Sequence, residues 1–165
     1  MKSYQHLSHD SLPIFINHNS ELLILGSFPS VKSREIGFYY GHKQNRFFLV
    51  LSRIFLEDEP ISVENRKEFL SRHKIALYDV IYSCSIVGSS DSSIKDVVPI
   101  DIEKILKEYP NIKVIGVNGG KAKSLFDKYL LEKVNVNVIY LPSTSPANAK
   151  CSLEMLRDKY QQLFK

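Results

Sequence analysis

Residues 30–53 hold five cations, Lys32, Arg34, Lys43, Arg46 and Arg53, against one acid, Glu35, with Phe38, Tyr39, Tyr40, Phe47 and Phe48 interleaved among them. Cationic side chains neutralise phosphates and aromatic faces stack on bases, so this composition suits a nucleic acid. It also suits a solvated loop beside core aromatics, and charge patterning alone does not choose between the two. A second set of candidates lies in short runs of small and polar residues: Gly26-Ser27-Phe28-Pro29-Ser30, Asp79 to Cys84, Asn118-Gly119-Gly120, and Pro142 to Asn148. Glycine and small polar residues let a backbone come close to an anionic ligand.

Other chemistries are excluded by pattern. Gly116 to Ala122 is one residue short of a P-loop and lacks the Ser or Thr that would hold Mg²⁺. No GxGxxG, HExxH or GxSxG is present. His6 and His9 are spaced i, i+3 in a polar N-terminal segment without a partner cluster, which argues against a metal site. Two cysteines, Cys84 and Cys151, are too few for a four-cysteine zinc or iron–sulfur site in one chain, or for a disulfide framework. A reducing, intracellular and cytoplasmic setting is therefore expected, with no cofactor. The N-terminus has no apolar signal-like core, and no apolar run reaches the roughly 18 residues of a membrane span. The formal charge of +4 and a pI near 9.0 lean toward anionic partners.

These residues need a scaffold. A chain of 165 residues fits a single domain, residues 1–165, and buries enough surface to fold without staples. Four β-rich runs recur at Leu22 to Leu25, Ile75 to Val80, Val114 to Val117 and Val136 to Leu141; continuous apolar runs of this kind suit strands covered on both faces. Helical stripes lie between and after them. Phe47, Phe48, Leu51, Ile54 and Phe55 share a face; Ile102, Ile105, Leu106 and Tyr109 follow a cap at Asp101 and stop before Pro110. Ala122, Leu125, Phe126, Tyr129 and Leu130 form a third stripe, and Ser152 caps a last helix bearing Leu153, Leu156, Tyr160 and Leu163. The order β-α-β-α-β-α-β-α predicts an α/β fold, a three-layer α/β/α sandwich. Ligands of such sheets bind beyond the C-terminal strand ends, where the four polar runs fall.

Those strand-end residues carry a resemblance. G-S-F-P-S (26–30) followed by G-F-Y-Y-G-H-K-Q-N-R-F-F (37–48) resembles the uracil-DNA glycosylase superfamily, with spacing similar to its mismatch-specific uracil/thymine members. Y-D-V-I-Y-S-C (78–84), G-S-S-D-S-S-I (88–94) and L-P-S-T-S-P-A-N (141–148) are most similar to its deoxyinosine (hypoxanthine) branch. The likeness runs from about residue 22 to 160, with the motifs in family order. It implies a four-stranded parallel sheet in the order 2-1-3-4. It also implies hydrolysis of the N-glycosidic bond of a flipped, deaminated base in double- or single-stranded DNA, by a monomer without metal.

The resemblance assigns roles residue by residue. Phe28 stands where many members carry a water-positioning Asp or Asn, and Asn45 is the best substitute; its competing role is to cap the next helix. Tyr40 would stack on the extruded base with Phe28 as the opposite wall, unless both are core. Asp79 would accept from N1–H of hypoxanthine, or equally from N3–H of uracil, unless it only binds loop amides. Ser143 would donate to the base carbonyl. Ser27, Ser30 and Ser145 would grip phosphates, Pro146, Ala147 and Asn148 would fill the gap left by the base, and Arg46 and Lys121 would face DNA. Alternatively this is a Ser/Pro loop without function. Ser89-Ser90-Asp91 has no assigned role, and Asn118 could face the pocket. Two other functions compete: a nucleoside or nucleotide hydrolase on the same fold, and a non-catalytic nucleic-acid binder.

Overall fold

The computed structural model describes residues 3–87 and 90–165. Ser89 therefore lies outside the described residues, as does part of the 88–94 motif, whose described remainder is a 3-10 turn at Asp91–Ser93. In chain order the elements are β1 (Gln5–Ser8), β2 (Leu22–Gly26), α1 (Val31–Ile36), α2 (Phe47–Phe55), α3 (Val63–Arg72), β3 (Ile75–Asp79), β4 (Ile81–Ile86), β5 (Lys95–Pro99), α4 (Ile102–Glu108), β6 (Val114–Asn118), α5 (Gly120–Tyr129), β7 (Asn137–Leu141) and α6 (Leu153–Tyr160).

The four expected strands form one parallel sheet, β3-β2-β6-β7, which is the order 2-1-3-4 when these four alone are counted. Side chains alternate across a strand, and β2 shows the consequence. Leu22 and Ile24 join one buried cluster, with Phe47, Phe48, Leu51, Phe69 and Tyr160; Leu23 and Leu25 join another, with Ile102, Ile115, Ala122 and Phe126. Helices α2, α3 and α6 thus cover one face while α4 and α5 cover the other, giving three layers. Register sets the strand ends level: Gly26 pairs with Asp79, Leu25 with Val117, and Asn118 with Leu141. The chain leaves β2 for β3 on one side and returns to β6 on the other, so a crevice opens between the ends of β2 and β6.

A second sheet, absent from the sequence reading, is antiparallel with order β1-β4-β5. Asp79 to Cys84 is accordingly not a strand-end loop: Val80 turns the chain and Ile81 starts β4. The turn is pinned by the Val80 amide donating to the Gly26 carbonyl (2.8 Å) and the Ile81 amide to that of Ser27 (3.1 Å). Strand β1 pairs with β4, Ser8 opposite Ser83, and so delivers a 3-10 turn, His9–Ser11, beside the end of β3. Asp101 and Ser152 cap α4 and α6 as expected, while the shorter α1 and the polar α3, capped by Ser30 and Ser62, are additional.

Candidate active site

A cavity of about 350 Å³ occupies the crevice, a size suited to a small planar ligand. Its lining joins five sequence-distant segments: Ser27, Phe28 and Ser30 after β2, Tyr40 and Asn45 before α2, Asp79 at the end of β3, Asn118 and Lys121 around the start of α5, and Ser143, Ser145 and Pro146 after β7.

Tyr40 has a left-handed backbone, φ +54°, an uncommon state for a non-glycine residue. Its ring lies on that of Phe47, with centroids 3.9 Å apart and planes at 11°. Stacking fixes the ring at the cavity wall. The Asn118 amide Nδ2 donates to the Tyr40 hydroxyl (3.3 Å) and to Thr144 Oγ1 (3.2 Å), while Asn118 Oδ1 accepts from the Thr144 amide (3.3 Å). Burial first, then the nearby Asp79 carboxylate, pushes the Tyr40 hydroxyl well above its ordinary pKa, so it stays protonated.

Asn45 is a helix cap that also stands at the cavity. It lines the cavity, and its Oδ1 accepts from the Phe47 amide (3.0 Å) at the start of α2, a helix whose N-cap residue, Arg46, makes no side-chain cap. That donor fixes which atom is oxygen, and an sp² oxygen keeps a second lone pair for a water.

Asp79 is 5% exposed. Its partner is no loop amide. Oδ2 lies 2.9 Å from His9 Nε2, and His9 Nδ1 lies 2.8 Å from the Leu12 carbonyl oxygen. His9 is itself buried, enclosed by Phe28, Tyr39 and Tyr78. The sequence reading placed His9 in a polar terminus; the pairing spans 70 residues, and no local pattern announces it. Gly26 is required by this packing, since an added Cβ would lie 2.5 Å from Asp79 Oδ1. Gly119, at φ +99°, similarly lets the Ser143 loop close on α5, with Ser143 Cβ 3.3 Å from where a Cβ would stand. No side chain caps α5; Gly120, Lys121 and Ala122, its first residues, line the cavity, where the helix dipole favours negative charge.

The loop after β7 is tied internally. Ser143 Oγ accepts from the Ser145 amide (3.1 Å), Ser145 Oγ from that of Ala147 (3.2 Å), and Asn148 Nδ2 donates to the Ser143 carbonyl (3.0 Å). Pro146 and Ala147 are exposed at its tip, whereas the Asn148 side chain turns inward. Arg46, expected to face DNA, instead donates through Nη1 to the Cys151 carbonyl (2.6 Å) and through Nη2 to that of Asn148 (3.0 Å). Ser30, expected on phosphate, caps α1 by accepting from the Ser33 amide and donates to Ser33 Oγ. Thr144, fully buried and bonded to Asn118, is a site residue that the sequence reading passed over. Among the described residues no group of three or more His, Cys, Asp or Glu is placed to hold a metal ion, and no helix is long and apolar enough to cross a membrane.

The chain is similar to known proteins along nearly its whole length. It is 35% identical over 161 residues to a hypoxanthine DNA glycosylase of Methanosarcina barkeri (strain Fusaro / DSM 804), covering 96% of this chain and 99% of that protein. It is 33% identical over 141 residues to another protein of that name from Methanosarcina acetivorans, covering 85% and 88%. A solution NMR structure of a candidate uracil DNA glycosylase from Methanosarcina acetivorans superposes with a TM-score of 0.79 at 30% identity, over 93% of this chain and 97% of that one. The model of the uracil DNA glycosylase superfamily matches residues 13–164, and the chain belongs to that superfamily.

Proposed function

We propose that this chain is a monofunctional DNA glycosylase that hydrolyses the N-glycosidic bond of a flipped, deaminated base, hypoxanthine foremost and uracil next, in base excision repair. In this reading it works inside the cell as a monomer, on double- or single-stranded DNA, without metal or cofactor. One observation carries it: Tyr40, Asn45, Asp79 and Ser143, from three separate segments, line one cavity at the crevice of the sheet. The names borne by the curated relatives favour hypoxanthine.

The reaction has a cationic sugar and an anionic departing base at its transition state, so the site must stabilise charge on the base and place a water below the sugar. The base leaves the stack and enters between Tyr40 and Phe28. Asp79 Oδ1, whose partner oxygen is held by His9, accepts N1–H of hypoxanthine; adenine offers only a lone pair there and is rejected. Ser143 donates its hydroxyl to the base carbonyl. The uncapped start of α5 favours the departing negative charge. Asn45 Oδ1 orients the water with the lone pair that Phe47 leaves unused. The bond from the sugar to the base breaks, its electron pair goes to the base, water adds to the sugar carbon, and the proton that this water gives up ends on the departed base. No lysine acts as nucleophile, so the strand stays intact until alkali cleaves it.

The test is to incubate the protein with duplexes bearing single inosine, uracil, xanthine or thymine mismatches, treat with alkali, and measure strand breaks. Inosine duplexes break. Asn45→Ala slows release more than about tenfold, less than the roughly hundredfold or more of a group that transfers a proton, because a carboxamide only orients the water, while costing about 1 kcal/mol of stability as a lost cap. Folded protein that releases no base from any of these duplexes overturns the reading, and unchanged turnover in Asn45→Ala removes that residue from it.

A further inference from the structure

The His9–Asp79 pair is buried, sits at the cavity, and has no place in the chemistry so far beyond holding a carboxylate still. Its hydrogen bonds fix its proton count. The Leu12 carbonyl can only accept, so His9 Nδ1 carries a hydrogen. Nε2 then faces Asp79 Oδ2 at 2.9 Å. A bare Nε2 against a bare carboxylate oxygen would set two lone pairs against each other. A proton therefore lies between them, as imidazolium with carboxylate or as imidazole with carboxylic acid. Both arrangements sum to zero charge. The His9 side chain is wholly inaccessible and that of Asp79 7% exposed, so an unneutralised charge there would be costly.

We propose that His9 is a positioning residue for base release: by sharing one proton with Asp79 it lets that carboxyl group read the base edge while presenting no net negative charge to a base that departs as an anion. The inference rests on the glycosylase reading of the cavity. Without His9 the carboxylate that recognises the base would repel it as the bond breaks, in a water-poor pocket where charges act strongly. The two demands, a hydrogen-bond acceptor for recognition and neutrality for departure, are met by one pair. The segment 5–11 thereby becomes part of the site, because β1 pairing with β4 holds the histidine there.

The phenols that face the pair stay protonated. Tyr39 and Tyr78 face His9, and Tyr40 lies toward Asp79. Burial raises Tyr39 and Tyr40 far above the usual phenol value and Tyr78 to about 12, with the Asp79 charge adding to each. Asp10, next in the turn, is held low by the Tyr82 hydroxyl and stays ionised outside the pocket lining. His42 also lines the cavity, so the pH profile of the pair is read as the difference between wild type and His9→Gln, which share His42.

The sign follows. In the wild type the pair is neutral while it holds its shared proton and negative once that proton is lost, so single-turnover release of hypoxanthine is fastest with the proton in place and falls when it is removed. In His9→Gln the amide still donates to Oδ2, but the carboxylate keeps its charge. Release drops at least tenfold at neutral pH and recovers only as acid protonates Asp79. Adding Asp79→Asn to His9→Gln removes the charge while keeping an acceptor oxygen, and restores at least threefold over His9→Gln alone. A purely structural histidine would lower the rate equally at every pH and gain nothing from the second change. Superimposable pH profiles for wild type and His9→Gln, or no recovery in the double variant with both proteins folded, overturn the proposal. Nitrogen-15 NMR of the wild-type imidazole reads the same pair without activity: a hydrogen on Nδ1 and a shared hydrogen at Nε2 are expected at neutral pH, and a bare Nε2 beside an ionised Asp79 overturns it. If no duplex loses its base, the glycosylase reading has failed, and the NMR result still stands or falls alone.

Discussion

Replacing Arg46 with Ala separates two roles that the sequence could not. The guanidinium bridges the Cys151 and Asn148 carbonyls at 2.6 and 3.0 Å, and the Arg46 amide donates to the Thr144 carbonyl at 3.0 Å. It ties the start of α2 to the loop that carries Ser143, Pro146 and Ala147. Two charge-assisted hydrogen bonds are each worth about 1.5–3 kcal/mol when buried, but Arg46 is only half-buried and water can replace part of the loss. A net cost of about 2 kcal/mol follows, which for a chain of this size lowers Tm by about 4–8 °C. A residue that clamps the loop and does not touch phosphate leaves the salt dependence of DNA binding alone, whereas loss of a phosphate contact reduces the slope of log K against log salt by about 1. Thermal unfolding and a salt series of duplex-binding affinities read both quantities on one variant. A lower Tm with an unchanged slope is expected. An unchanged Tm with a slope reduced by one would return Arg46 to the DNA surface and refute the clamp.

Gly26→Ala sets a Cβ 2.5 Å from an Asp79 oxygen whose carboxyl group cannot swing away without leaving His9. An overpacking cost of about 1–3 kcal/mol is expected, with excision falling more than tenfold in protein that still folds; wild-type excision rates in this variant would mean that Asp79 tolerates displacement. Glu57, beside Arg72 and His73, is held below the ordinary carboxyl pKa, chiefly by its hydrogen bond from Arg72. A depressed carboxyl stabilises the fold above its unfolded-state pKa and loses that contribution as pH falls through its folded value. Glu57→Gln should therefore lower Tm slightly at pH 7 and not at all at strongly acid pH, by calorimetry across the range. A gap that persists in acid would assign the effect to packing.

The parallel sheet was legible because its strands are apolar on both faces: Leu22 to Leu25, Val114 to Val117 and Ile75 to Leu77 admit no exposed face, while their order is implied by the family resemblance and not by the strands themselves. The second sheet was not legible. Ile81-Tyr82-Ser83-Cys84-Ser85-Ile86 alternates, but its serines give it the composition of a loop, and Gln5–Ser8 has one apolar residue, Leu7. Such strands exist because a partner supplies the hydrogen bonds, not because their own residues demand burial. Likewise α3 reads as a solvated charged stretch, and only Phe69 and Leu70 commit it to the core.

The site divides along the same line. Register sets Asp79 level with Gly26, and Leu141, two residues before Ser143, level with Asn118, so sequence position points to these candidates; Tyr40 and Asn45 reach the cavity from the segment before α2. Where a role depends on which atom meets which, sequence is blind. Asn45 reads from sequence as water-positioner or helix cap; the structure shows the cap, and the capping oxygen keeps a second lone pair for the proposed water. The same holds for the loop after β7. Its serines and Asn148 look outward on composition, but they satisfy the loop's own amides and carbonyls, leaving Pro146 and Ala147 at the tip. A tip with few unsatisfied polar groups costs little to insert into a base stack, and a loop stiffened from within does not collapse when it does so. The polarity of that segment therefore serves its rigidity, and under the proposed function the two small apolar residues at its tip are the ones left to meet DNA.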